Sequence, residues 1–227
     1  MERNVNTIDR SMSSGVEINK VLKNTYLLVA ASLIVSAISA GVAMAMNIAP
    51  ISPWLYLAII IGMPFIMAKT SNSGLGILMM FLFTGFLGFY AGPIINLYVA
   101  NFGSEIVIQA LGLTGLIFFA LSGYVLKTGK DFTFMRGFLF AGLMVVFGVA
   151  LIYFIGNYFA GWHVSGLSTA ISAAMVLLIS GYILYDTSSI MRGEQTNYIM
   201  AAMSVFINIY VLFMNILHLL AAFSGDD

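Results

Sequence analysis

The feature that most constrains this chain is where its charges are missing. Residues 24–68, 70–104, 106–126, 137–185 and 195–225 carry no Asp, Glu, Lys or Arg. A helix needs about 20 apolar residues to cross the hydrocarbon layer of a bilayer. Two of these runs, 24–68 and 137–185, are long enough for two crossings each. The first is broken at NIAPISP (47–53), where two prolines disfavour continued helix. The second is broken near NYFAGWHVSG (157–166), which gathers Asn157, Tyr158, Trp162, His163 and two glycines. Amphipathic rings of this kind suit the headgroup level. The spacing predicts seven spans, near 25–46, 53–68, 75–99, 106–126, 137–156, 164–186 and 198–222.

Composition excludes the soluble alternative. Only 8% of the residues are charged and 61% are hydrophobic, with a mean hydropathy of +1.01. A soluble domain has about 25% charged residues. The fold class is therefore all-α, a seven-transmembrane-helix bundle. The polar first twenty residues, MERNVNTIDRSMSSGVEINK, lack the apolar core and cleavage site of a signal peptide. They read as a flexible tail (1–20) ahead of a membrane domain (21–227). The chain has no cysteine, so disulfides and cysteine-ligated metals are excluded. The zero net charge and the absence of a long basic run argue against nucleic acid as a partner.

The basic residues orient the bundle. Arg3, Arg10, Lys20 and Lys23 precede span one, and Lys69 follows span two. Lys127, Lys130 and Arg136 separate spans four and five, and Arg192 separates six and seven. Alternate connections thus hold all nine Lys and Arg. The positive-inside rule places that side, with the N-terminus, in the cytoplasm. Seven crossings then put the C-terminus outside, on the opposite face of the membrane.

Asp186 ends the uncharged run of span six. The carboxyl end of a helix disfavours an anion, and nearby hydrocarbon makes any charge costly. A cation or hydrogen-bond donors must compensate. The candidate cations at the same level are Lys69, Lys127, Arg136 and Arg192, and Thr187, Ser188 and Ser189 are candidate donors. Asp186 is either a titratable gate at one end of the bundle or an interfacial acid facing water.

Span seven carries Ser204, Asn208 and Asn215 along one side, with His218 near its edge. Such a stripe belongs against other helices, which places span seven centrally. The stripe reads as interhelical glue or as a polar pathway. In span three, TGFLGFYAGP (84–93) offers Gly85, Gly88 and Gly92 for close helix approach, and Pro93 for a kink. LSGYVLKTGKDFTFMRG (121–137) resembles ISGYILYDTSSIMRG (179–193). A parallel repeat suits a small-solute transporter, and chance similarity in an apolar alphabet explains the match equally well.

No catalytic constellation emerges. There is no G-x-S-G nucleophile and no second intramembrane acid to pair with Asp186. His163 and His218 have no clustered acids with which to hold zinc. The reading is a non-enzyme without cofactor.

The segment YILYDTSSI, followed by AAMSVFINIYVLFMNILHLL, resembles the paired sixth and seventh helices of the Bax inhibitor family, also called transmembrane Bax-inhibitor-motif proteins. KVLKNTYLLVAASLIVSAISA, KTSNSG, TGFLGFYAGPIIN, GYVLKTGKDFTFMRG and GEQTNYIMAAMSVFINIY extend the resemblance over most of the chain. It implies that the chain binds and modulates the membrane AAA protease FtsH and its associated membrane complex. The tail from Met1 to about Lys20 would be the handle that the protease engages. Other branches of the family act as pH-sensitive calcium or cation leaks, through two aspartates on helices six and seven that share protons. Asp186 matches the first of these, and Asn208 stands at the second. Calcium and protons are the ligands of that alternative reading, but an amide cannot join a coupled carboxylate pair, so the chain departs from the leak pattern at Asn208, where an Asp186–Asn208 hydrogen bond could still seal the mouth.

Overall fold

The structure is a computed structural model that describes residues 2–162 and 164–225, with side chains described from residue 17 onward. His163, Met1 and the two terminal aspartates lie outside the described residues, as do the side chains of Arg3 and Arg10. Among the described residues seven α-helices follow one another: α1 (Glu2–Ala45), α2 (Pro53–Thr70), α3 (Gly74–Phe102), α4 (Glu105–Thr128), α5 (Arg136–Ala160), α6 (Leu167–Met191) and α7 (Tyr198–Ser224). A single 3-10 turn, Thr133–Met135, leads into α5. There is no strand among the described residues. Each helix is long and apolar enough to cross a membrane; α1 contributes its Glu17–Ala45 part. At 1.5 Å per residue, α2 is the shortest, about 27 Å, close to the thickness of the hydrocarbon layer.

Sequence chemistry explains the helix ends. Pro53 opens α2 at a position where its missing N–H costs nothing. Gly129 and Gly161 follow α4 and α5 with φ of +63° and +64°, and their N–H groups return to the Val125 and Asn157 carbonyls. Gly193 (φ +70°) ends α6 in the same way: its N–H meets the Ile190 carbonyl, and the Glu194 N–H meets that of Ser189. This is a Schellman closure.

The seven spans lie where the uncharged runs predict, with one correction, in α6. α1 has helical backbone from Glu2. α6 does not stop at Asp186 but runs five residues further. Asp186 is therefore inside the helix, more than a turn from its end, where the macrodipole has largely faded. The similarity between 121–137 and 179–193 is not a structural repeat. The first segment leaves α4, turns and enters α5, with Met135–Gly137 at a helix start; in the second, Met191 closes one unbroken helix.

The chain divides into two compact units, residues 1–94 with 189–206, and residues 95–188 with 207–227. In the first unit, α1 and α3 pack through glycine. A Cβ on Gly88 would collide with the Ser36 carbonyl, and one on Gly92 would lie 2.7 Å from the Ala43 Cβ and 2.8 Å from the Ala40 carbonyl. Only hydrogen at those positions lets the two backbones meet. In the second unit, α5 and α6 interlock at Gly142 with Leu178 and at Gly181 with Leu139. α7 has the largest buried share, 44%, against 6% for α2 and α5.

Candidate functional site

Two places gather polar side chains, one in each unit. In the second unit, Asp186 of α6 is half-buried and faces α7. The Asn208 amide, itself only 5% exposed, donates to Asp186 Oδ2 at 2.7 Å. A donor at this range lowers the penalty for keeping a carboxylate near hydrocarbon. The amide is also rescued by the contact, because a buried unpaired N–H is costly in its own right.

Two of the three hydroxyls after Asp186 serve other purposes, and Ser189 is buried. Thr187 is 1% exposed, and its Oγ1 donates to Ser122 Oγ of α4 at 3.3 Å. Ser188 Oγ accepts the Phe132 N–H at 3.0 Å and donates to the Lys130 carbonyl at 3.4 Å. The end of α6 is thus stitched to α4 and to the α4–α5 connection. At 100° per residue, positions 187 and 188 project away from position 186, which sends their hydroxyls to different neighbours.

The four candidate cations, Lys69, Lys127, Arg136 and Arg192, are all exposed. Lys127 and Arg136 belong to the unit that holds Asp186; Lys69 and Arg192 belong to the other. Lys130 Nζ lies 5.5 Å from the centre of the Tyr124 ring, within cation–π range. A hydrogen bond with the Tyr124 hydroxyl, and the charge of that group, push the Lys130 ammonium above the usual lysine range.

The span-seven stripe does not act as one network. Asn208 meets Asp186, whereas Asn215 turns back on its own helix, donating to the Val211 carbonyl at 2.7 Å. His218 Nδ1 is 2.8 Å from the Tyr98 hydroxyl of α3, and its Nε2 is buried without a partner. Ser204 is half-buried and falls in the other unit. Among the described residues, no three His, Asp or Glu side chains come together as a metal site.

The second place was not anticipated from the sequence. In the first unit, Ser71–Gly74 between α2 and α3, with Ile77, meets Thr196–Ile199 at the start of α7 around a cleft of about 480 Å³. Asn197 organises it. Its Oδ1 caps α7 by accepting the Ile199 and Met200 N–H groups at 3.0 and 3.1 Å. Its Nδ2 reaches across to Asn72 Oδ1 at 2.8 Å and the Ser71 carbonyl at 3.3 Å. The signal was present in the sequence, since an asparagine stands just before the apolar run YIMAAM. That pattern reveals the cap but not the loop it grips.

Comparison with known proteins agrees with this architecture. Residues 18–225 match the family described as Inhibitor of apoptosis-promoting Bax1. A Vibrio cholerae relative, described only as a membrane protein, is 47% identical over 219 residues, covering 96% of both chains. The Escherichia coli K12 protein "Modulator of FtsH protease YccA" is 40% identical over 227 residues, covering 96% of this chain and 100% of its own. Its counterpart in another Escherichia coli strain is described as an inner membrane protein, at the same identity. With seven apolar helices and a family match over nearly its whole length, the chain belongs to the Bax inhibitor family and is a multi-pass protein of the bacterial inner membrane.

Proposed function

We propose that the chain modulates a membrane-anchored AAA protease of the FtsH type, as a bound partner rather than as an enzyme, and that residues 1–20 are the handle the protease engages. The observation that carries this reading is the 40% identity, end to end, with a relative described as a modulator of that protease. The N-terminus is then cytoplasmic and the C-terminus periplasmic, because alternate connections hold the basic residues.

The geometry suggests how a handle becomes an inhibitor. Helical backbone leads without interruption from Glu2 into the first span, so a pull on the tail loads α1 directly. α1 is gripped by α3 along the Gly88–Gly92 seam, where backbones are in contact and side chains cannot yield. A helix held in this way leaves the membrane slowly and occupies the protease meanwhile. Removal of residues 2–20 is expected to abolish protease-dependent turnover of the chain, and its inhibition of a second substrate, while leaving insertion intact. Unchanged turnover of the truncated protein rejects the handle.

The alternative reading, a pH-sensitive calcium or cation leak, rests on Asp186. Asn208 supports a seal there instead, since its amide satisfies the carboxylate where a second acid would be needed for shared protons. In proteoliposomes we expect no pH-dependent calcium flux above that of empty vesicles, and no change on Asp186→Asn.

A further inference from the structure

The α4–α5 connection concentrates charge as no other described connection does. Lys127, Lys130 and Arg136 fall within residues 127–136, whereas the α2–α3 side contributes only Lys69 and the α6–α7 connection only Arg192, beside Glu194. All three cations are exposed. Between them, Phe134 is 78% exposed, and Phe138 follows at 71%. Span four ends at Thr128 and span five begins at Thr133, which places this segment at the boundary between hydrocarbon and water. Phenylalanines there are presented to acyl chains while the cations reach headgroups.

The segment is also held in shape. The Lys130 N–H meets Thr128 Oγ1 at 3.4 Å. Ser188 Oγ bridges the Phe132 N–H and the Lys130 carbonyl. Asp131, the one acid in the segment and itself exposed, accepts the Thr133 N–H and hydroxyl at Oδ1, both at 2.8 Å. Lys130 is steadied against the Tyr124 ring. A fixed backbone that presents three cations loses less freedom on binding an anion than a mobile loop would.

We propose that the α4–α5 connection binds the headgroup of an anionic phospholipid, with its phosphate among Lys127, Lys130 and Arg136 and its acyl chains against Phe134 and Phe138. A zwitterionic headgroup carries its own cation and offers three lysine and arginine side chains little net attraction. An anionic one gains about fivefold in affinity for each cation near the surface.

The test uses the full-length chain with the reporter Phe134→Trp, in vesicles of dibrominated phosphatidylglycerol or dibrominated phosphatidylcholine. Bromine quenches a tryptophan that its lipid touches. The natural Trp54, in the first turn of α2, and Trp162, just after α5, lie at helix ends without basic residues; they are measured in the chain lacking the reporter and serve as the reference. We expect the reporter to favour phosphatidylglycerol by about fivefold or more, and Trp54 and Trp162 to show no preference. The preference should fall to within about twofold of none on Lys127→Gln, Lys130→Gln and Arg136→Gln combined. It should also weaken in the reporter chain alone as salt rises to about 0.5 M, a measurement that needs no further substitution. Equal quenching by the two lipids, a preference shared by Trp54 and Trp162, one that survives the triple substitution, or one indifferent to salt overturns the site.

Discussion

Between α1 and α3 backbones meet; between α6 and α7 side chains do. At the first contact, Gly88 stands against the Ser36 carbonyl and Gly92 against Ala40 and Ala43. At the second, the Asn208 amide reaches the Asp186 carboxylate. Both are answers to one problem. Lipid is as apolar as leucine, so helices in a bilayer gain little by hiding apolar surface from it. They associate through close packing or through polar groups that hydrocarbon would leave unpaired. The two contacts fail differently: a seam of backbones has no room to adjust, whereas a hydrogen bond between side chains can be exchanged for another.

The sharpest way to break the first contact is Gly88→Leu. The obstacle is the Ser36 carbonyl, which belongs to a helix and cannot rotate away, so α1 and α3 must separate. Overpacking usually costs about 1–3 kcal/mol where side chains can shift, and this site should lie at or above the upper end. Unfolding in mixed micelles by titrated dodecyl sulfate, followed by circular dichroism, measures the loss. Gly85→Ala makes a graded control, because a Cβ there would meet Ser39 Oγ at an ordinary 3.5 Å. If Gly88→Leu were no worse than Gly85→Ala, the seam would not be rigid.

Asn208→Leu comes next. It removes a donor from Asp186 and should cost about 1.5 kcal/mol, near the top of the range for hydrogen bonds between membrane helices. Asp186→Asn alone should cost less, since an uncharged amide is easier to keep in hydrocarbon and can still accept from Asn208. A double-mutant cycle with both substitutions isolates the coupling, expected at about 0.5–1.5 kcal/mol. A coupling near zero would mean that the Asp186–Asn208 contact contributes nothing to holding α6 against α7.

The same contrast governs how much the sequence discloses. Seven spans follow from the gaps between charges, and the glycine seam follows from GFLGFYAG, because both are properties of one segment read alone. The end of α6 does not. DTSSIMRG looks like the start of a loop, yet Thr187 and Ser188 are buried, and their hydroxyls find Ser122, Phe132 and Lys130. Polarity marks a helix end only when no partner is available, and the partners here lie 56 to 65 positions away. The cleft around Asn197 was missed for the same reason: its cap is local, but its grip on Ser71 and Asn72 spans more than a hundred positions. The match between Asp186 and Asn208 was visible because a family pattern supplied the pairing.

Asn215 should show the smallest effect, and it sharpens the comparison most. It lies on the same side of α7 as Asn208 and reads as an equal member of one polar stripe. Its amide, however, donates to the Val211 carbonyl of its own helix. A bond within one helix is already made when that helix is inserted but separated from its neighbours, so it adds nothing to the step in which helices associate. Asn215→Leu should therefore change stability by less than about 0.5 kcal/mol, while Asn208→Leu, one turn-pair away, costs about three times as much. The pair is to be measured side by side in the same micelle titration. Equal losses would mean that Asn215 finds a partner on another helix, and that the stripe acts as a unit after all.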